Sequence, residues 1–76
     1  MHPMLDFVAG QKPSPEAVVA ARLAAGLTQT EAARSVYLGH YTRWGDYEAG
    51  RGGMDAARYE LFLVKHGLHP GYRACG

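Results

Sequence analysis

Cysteine is almost absent from this chain. Its one cysteine, Cys75, stands next to the last of the 76 residues. A single cysteine excludes a fold held by internal disulfides, and a reducing, cytoplasmic setting in a bacterial cell is expected. No apolar run approaches the roughly 20 residues that span a bilayer. Residues 1–7 also lack the basic start of a secretion signal, so no membrane partner is expected.

An excess of one charge is missing too. Eight lysines and arginines oppose seven carboxylates, and the net charge is +1. Nucleic-acid binding must therefore be argued from where the cations lie. Phosphate-binding loops, nucleophile elbows and paired carboxylates are absent. We therefore expect neither an enzyme nor a cofactor or small-molecule substrate. No metal is expected either, because the four histidines are dispersed and lack metal-ligand spacing with Cys75: His2, His40, His66 and His69.

Helix boundary signals are plentiful in the first half of the chain. Ser14-Pro15-Glu16 supplies a hydroxyl cap, a proline at the first helical position and a first-turn carboxylate, and Gly26 suits the helix end. Thr28 and Glu31 have the spacing of a capping box and predict a second helix. Two short helices joined by a tight turn form the architecture that places a helix in the DNA major groove.

Two more helices are predicted further along, over about residues 40–49 and 56–66. No stretch alternates between apolar and polar residues as a strand does. We therefore expect a compact all-α domain of four or five helices over residues 14–70. An N-terminal arm over residues 1–13 and a C-terminal tail over residues 71–76 would flank it.

The third predicted helix has two distinct sides. Because residues on a helix advance by about 100° each, Trp44, Tyr47 and Glu48 share one side, which the aromatic spacing assigns to the core. The opposite side is the candidate for reading DNA. It holds Thr42, Gly45 and Asp46, with Tyr41 and Arg43 at its edges.

Several side chains around this side suit DNA chemistry. Arg43 is expected to pair with a guanine edge or a phosphate, and Thr42 to contact a thymine methyl or a phosphate. Tyr41 and His40 are expected to contact the sugar–phosphate backbone. Asp46 has two interpretations: it accepts from a cytosine amino group, or it holds Arg43 at the i,i+3 spacing, which we favour.

Other candidate contacts lie around this helix. Gln29 and Thr30 stand at the start of the second helix, where side chains and backbone N–H groups would face a phosphate. Arg51 follows the third helix and is interpreted as a backbone clamp or, equally, as a solvated loop charge. Gly45 is expected to let the groove wall approach closely.

Two features give the chain a resemblance to a known family. Arg22 precedes Gln29 by seven residues, and Glu48-Ala49-Gly50 has the Glu-x-Gly pattern. On these features the chain resembles the lambda-repressor-like (Cro/repressor) helix-turn-helix family over about residues 17–63. The resemblance implies a structural ion pair between Arg22 and Glu48 that ties the first helix to the third. One residue more than the commonest family spacing lies in the turn around residues 38–39.

A narrower resemblance bears on biological role. Trp44-x-x-Tyr47-Glu48-x-Gly50 and Glu60-Leu61-Phe62 look like small phage and mobile-element DNA-binding proteins, including anti-CRISPR-associated repressors. This resemblance implies a homodimer that binds an inverted repeat in its own promoter and represses the operon.

The fourth predicted helix is apolar on several sides, which is typical of deep burial or of a shared surface. We expect part of this helix, together with the C-terminal tail, to form a dimer interface, with Tyr59, Phe62, Leu63 and His66 as its residues on the helix. The alternative is that the N-terminal arm covers this helix.

Taken together, the sequence predicts a dimeric transcriptional repressor that binds an inverted repeat in double-stranded DNA. Two alternatives stay open: the antitoxin of a toxin–antitoxin pair, and a protein-interaction module that uses the fold without DNA.

Overall fold

Four α-helices and no strand make up residues 10–69, the part of the chain that the computed structural model describes. They are α1 Pro15–Ala25, α2 Gln29–Ser35, α3 Thr42–Ala49 and α4 Ala56–Lys65. The all-α prediction is confirmed for this part of the chain. The predicted tail and all but the end of the predicted arm lie outside the described residues. None of the helices described is long and apolar enough to cross a membrane.

Side-chain caps begin three of these helices. Ser14 and Asp55 each accept a hydrogen bond from the backbone N–H three residues on, at 3.1 Å. Thr28 and Glu31 form the predicted capping box, with bonds of 3.1 and 2.9 Å. These short-range bonds explain why α1, α2 and α4 begin where the sequence predicts.

The helix α3 begins later than predicted, at Thr42 rather than near residue 40. Its N-cap position is occupied by Tyr41, which has helical backbone angles and makes no side-chain cap bond. The backbone N–H of Leu38 instead donates to the carbonyl of Ala33 at 3.1 Å and closes the end of α2. His40 and Tyr41 therefore belong to the connecting turn.

The core forms where α3 packs against α1 and α2, with α4 behind it. Trp44 and Phe62 have no exposed surface, and their ring centroids lie 5.0 Å apart. Ala32 and Ala33 are also fully buried, because small side chains allow α2 to approach its neighbours closely. Trp44 thereby links the inner side of α3 to α4.

The predicted dimer interface on α4 is wrong for three of its four residues. Tyr59, Phe62 and Leu63 are 1%, 0% and 0% exposed, so they pack inside the chain and cannot contact a second copy. His66 is half-buried, with its ring centroid 4.4 Å from that of Phe62. The apolar character of α4 reflects the burial of Tyr59, Phe62 and Leu63 in the core of the same chain.

Candidate nucleic-acid interface

A single carboxylate, that of Glu48, joins α1, α2 and α3. Arg22 donates to its two oxygens through Nε at 2.6 Å and Nη2 at 3.3 Å. Gln29 Nε2 donates to Oε1 at 2.9 Å, and Trp44 Nε1 donates to Oε2 at 2.7 Å. The Arg22–Glu48 ion pair predicted from the resemblance is confirmed. We refer to these four residues as the Glu48 cluster.

The Glu48 cluster is largely shielded from water. Only 9% of the Glu48 side chain and 18% of the Arg22 side chain are exposed. Burial alone would raise the pKa of the Glu48 carboxyl, but the hydrogen bonds from Arg22, Gln29 and Trp44 outweigh burial and hold that pKa below its ordinary value. The carboxylate is therefore ionised at neutral pH and fixes the orientation of α3.

The residue Gln29 lies at the start of α2, as predicted, but its amide group points to Glu48. A Cβ atom built on Gly45 would lie 3.3 Å from Gln29 Oε1, so the glycine makes room for this side chain. Gly45 itself is half-buried, and its expected role in admitting the wall of a DNA groove stays a prediction. Thr30, the residue after Gln29 on α2, is exposed. The outward side of α3 is the side opposite the buried residues Trp44 and Tyr47.

On that outward side, Thr42 and Arg43 are exposed at the start of α3. Within residues 10–69, the Arg43 guanidinium has neither an ion pair nor a hydrogen bond. Because guanidinium groups offer five donors in a fixed fork, an exposed one without a partner is available to a phosphate or a base edge.

The carboxylate of Asp46 pairs with Arg51 and not with Arg43. Arg51 Nη2 and Nε donate to Asp46 Oδ1 at 2.9 and 3.2 Å. The favoured interpretation, in which Asp46 holds Arg43, is therefore wrong. Both side chains are well exposed, 68% for Arg51 and 47% for Asp46. Exposed pairs contribute only about 0–1 kcal/mol, so a phosphate would compete for Arg51.

Two cation–tyrosine pairs were missed by sequence reasoning. The guanidinium carbon of Arg34 lies 5.2 Å from the ring centroid of Tyr41, and Lys65 Nζ lies 4.5 Å from that of Tyr37. Both distances are within the range of cation–π attraction. The signal in the sequence is the acid-free stretch over residues 32–45, which holds two arginines, one histidine and two tyrosines but no carboxylate.

The cations divide into two groups according to their partners. Arg22, Arg51 and Arg58 are each paired with a carboxylate. The others form no ion pair within the described part of the chain: Lys12, Arg34, Arg43 and Lys65. The last three belong to α2, α3 and the end of α4. The small net charge therefore does not reveal that these helices carry cations without a carboxylate partner.

The described residues contain no group of three or more histidine, cysteine or carboxylate side chains that could hold a metal ion. Comparison of the chain with protein-family models, with curated proteins and with solved structures finds no match in any of the three. The function must therefore be argued from the geometry of the chain itself.

Proposed function

We propose that this chain is a sequence-specific double-stranded DNA-binding protein whose α3 enters the major groove. In this proposal α2, the turn over residues 36–41 and α3 form a helix-turn-helix unit. The observation that carries it is the contrast across α3. One side is fixed to α1 and α2 by the Glu48 cluster, while Thr42 and Arg43 are exposed on the other.

Fixing α3 in this way matters for recognition. A reading side chain gives specificity only if its helix is held in one orientation, because a base edge is recognised by direction as well as distance. The Glu48 cluster supplies that rigidity through four hydrogen bonds from three side chains. Gln29 supports α3 in this role, and a direct phosphate contact by its amide would require release from Glu48.

Each remaining candidate has a defined part in the proposal. Arg43 pairs with a guanine edge, Thr42 contacts a neighbouring base or phosphate, and Tyr41 and His40 contact the backbone beside them. Arg51 exchanges Asp46 for a phosphate.

A homodimer on an inverted repeat, and repression of a phage or mobile-element operon, stay predictions from the family resemblance. Two-fold symmetry of the protein would match the symmetry of such a site. The buried residues of α4 do not form its interface, so another surface must do so.

Selection from duplexes with a randomised central segment tests the proposal, because it requires no knowledge of the operator. The selected duplex is then titrated with the parent chain and with Arg43→Ala. We expect the variant to bind roughly 5–150-fold more weakly per half-site, the equivalent of about 1–3 kcal/mol. Arg43→Lys should recover only part of the loss if the guanidinium reads a base.

Arg58→Ala is the matched control, since Arg58 is an arginine on α4 that already pairs with Asp55 at 3.6 Å. It should bind like the parent chain. Failure to enrich any sequence, with no binding even at low salt, would contradict the proposal and favour a protein-interaction module. Equal binding by Arg43→Ala and the parent would remove Arg43 from the reading side.

A further inference from the structure

Each of the four described helices is followed, directly or one residue later, by a residue with positive φ, but only three of these residues are glycine. Gly26, Gly50 and Gly67 have φ of 72°, 78° and 71°. The corresponding residue after α2 is Tyr37, with φ of 63°. Left-handed angles bring the Cβ atom of an L-residue close to its own backbone, so a tyrosine is strained where a glycine is not.

Burial does not explain this strained tyrosine. Its side chain is 73% exposed, the most exposed of the large hydrophobic residues described. Its ring is held in place by Lys65, whose Nζ lies 4.5 Å from the ring centroid and 3.2 Å from the hydroxyl oxygen. Lys65 Nζ also donates to the carbonyl of Ser35 at 2.7 Å. An exposed ring fixed at a strained position is typical of a functional site.

The chemistry around Tyr37 suits an anion. Tyr41, four residues on, is 44% exposed and lies under the guanidinium of Arg34. The backbone N–H of Tyr37 donates to the carbonyl of Arg34 at 3.1 Å and so places the two cation–tyrosine pairs side by side along the chain. We refer to these two pairs, Arg34–Tyr41 and Lys65–Tyr37, as the tyrosine–cation cluster.

The tyrosine–cation cluster combines two cations with two hydroxyl groups. Arg34, Tyr37 and Tyr41 lie on the acid-free stretch over residues 32–45, and Lys65 lies on α4. Hydrogen bonds from Thr28 and, to a smaller extent, the charge of Arg34 lower the pKa of the Glu31 carboxyl, but Glu31 forms no ion pair with Arg34. Hydroxyl and cationic donors that no carboxylate pairs with complement phosphate oxygens, whereas a protein-docking surface would have an apolar centre.

We propose that the tyrosine–cation cluster binds phosphates of the DNA backbone beside the base pairs that α3 reads. This inference rests on the proposed function and extends the interface from the start of α3 along the turn to the end of α4. In this proposal, the phosphate contact of the Tyr37 side chain explains why a tyrosine stands where glycine would give a less strained backbone.

Three substitutions separate this contact from folding. Tyr37→Gly removes the ring and the strain, Tyr37→Phe removes only the hydroxyl, and Lys65→Met removes the charge but keeps the length of the side chain. Leu23→Ala is the control, because Leu23 is a 63% exposed apolar residue on α1, a helix that carries no residue of the cluster. Each is titrated with the selected duplex and with an unrelated duplex over a range of salt concentrations, and each is melted without DNA.

We expect Tyr37→Gly to weaken binding to both duplexes by the same factor, about 3–10-fold, because phosphate contacts carry no sequence information. Its melting temperature should not fall, since relief of the left-handed strain offsets the lost ring contact. Lys65→Met should lower the slope of log affinity against log salt by about 1. Tyr37→Phe should lose part of the affinity, and Leu23→Ala none.

Several results would overturn the inference. If Tyr37→Gly binds both duplexes as tightly as the parent chain does, Tyr37 does not contact a phosphate. If the variant loses affinity only for the selected duplex, Tyr37 reads a base instead. A fall in the melting temperature of Tyr37→Gly would mean that the ring is kept for folding. If Arg43→Ala weakens binding and no cluster variant does, this inference alone fails, whereas no DNA binding by the parent overturns the proposed function with it.

Discussion

The substitution Glu48→Gln, which removes one negative charge, should lower the free energy of unfolding of the whole domain. The Glu48 oxygens accept from Arg22, Gln29 and Trp44, which belong to three different helices. Glutamine has the same shape but offers one acceptor oxygen and no charge. Arg22 would then be left without a counter-charge at a site where only 18% of its side chain is exposed.

The expected cost follows from the contacts. Removing one partner of a buried ion pair costs about 3–5 kcal/mol, and a hydrogen bond to a charged group contributes about 1.5–3 kcal/mol. Arg22 keeps its bond from Nη1 to the carbonyl of Leu27 at 3.1 Å, so we expect the lower end, about 3 kcal/mol. In a domain of this size, this free energy lowers the melting temperature by about 12–24 °C.

The effect should depend on pH in a defined direction. The pKa of Glu48 in the folded chain lies below its ordinary value of 4.5. The stabilisation by its carboxylate is therefore fully present above pH 4.5 and is lost as the pH falls through the folded pKa. The difference in stability between Glu48→Gln and the parent should shrink over that range, because the parent carboxyl becomes protonated as well.

Thermal unfolding followed by circular dichroism at neutral and acidic pH measures both effects. Glu16→Gln is the matched control, since Glu16 is an exposed carboxylate in the first turn of α1 without an ion pair in the described part of the chain. It should unfold within a few degrees of the parent. A Glu48→Gln midpoint as high as that of Glu16→Gln, or a difference that persists at low pH, would refute the reasoning.

Two further predictions concern helix ends and the core. Gly26→Ala should lower the free energy of unfolding by about 1 kcal/mol in urea titrations, because φ is 72° at this position. Gly39→Ala is the control and should not lower it, since Gly39 has no positive φ and a Cβ added there meets open space. Equal unfolding midpoints for the two variants would contradict this prediction. Phe62→Ala should cost about 3–5 kcal/mol, comparable to the whole stability of a small domain, and leave the chain largely unfolded in both dilute and concentrated solution. If Phe62→Ala is instead a folded monomer, Phe62 belongs to a dimer interface after all.

The helix boundaries were predictable because their causes are local. Ser14, Thr28 and Asp55 each cap a helix through a bond that spans three residues, and Gly26 ends one through its own backbone angles. The start of α3 was not predicted, since no side chain caps it and no local pattern separates residue 40 from Thr42. Local signals thus define three helices and leave the start of the candidate reading helix undetermined.

The choice of partner by each polar side chain was less predictable, because it depends on where separate segments meet. Asp46 has arginines at two nearby positions, Arg43 and Arg51, and helical spacing favours the first. The chain bends after α3 at Gly50, whose φ is 78°, and this bend brings Arg51 back within 2.9 Å of the carboxylate. A pattern based on helical periodicity does not include such a bend.

Pairing also decides which cations of this chain, whose net charge is +1, are available for the proposed contact with DNA. Each carboxylate that binds an arginine within the domain removes both charges from recognition, as Glu48 does with Arg22. Arg34 and Lys65 form no ion pair in the described part of the chain, and each lies over a tyrosine ring, which holds a cation in place without neutralising it. Arg43 avoids pairing because Asp46 binds Arg51. The number of charges therefore says little about the proposed DNA binding, and the choice of partner for each cation says more.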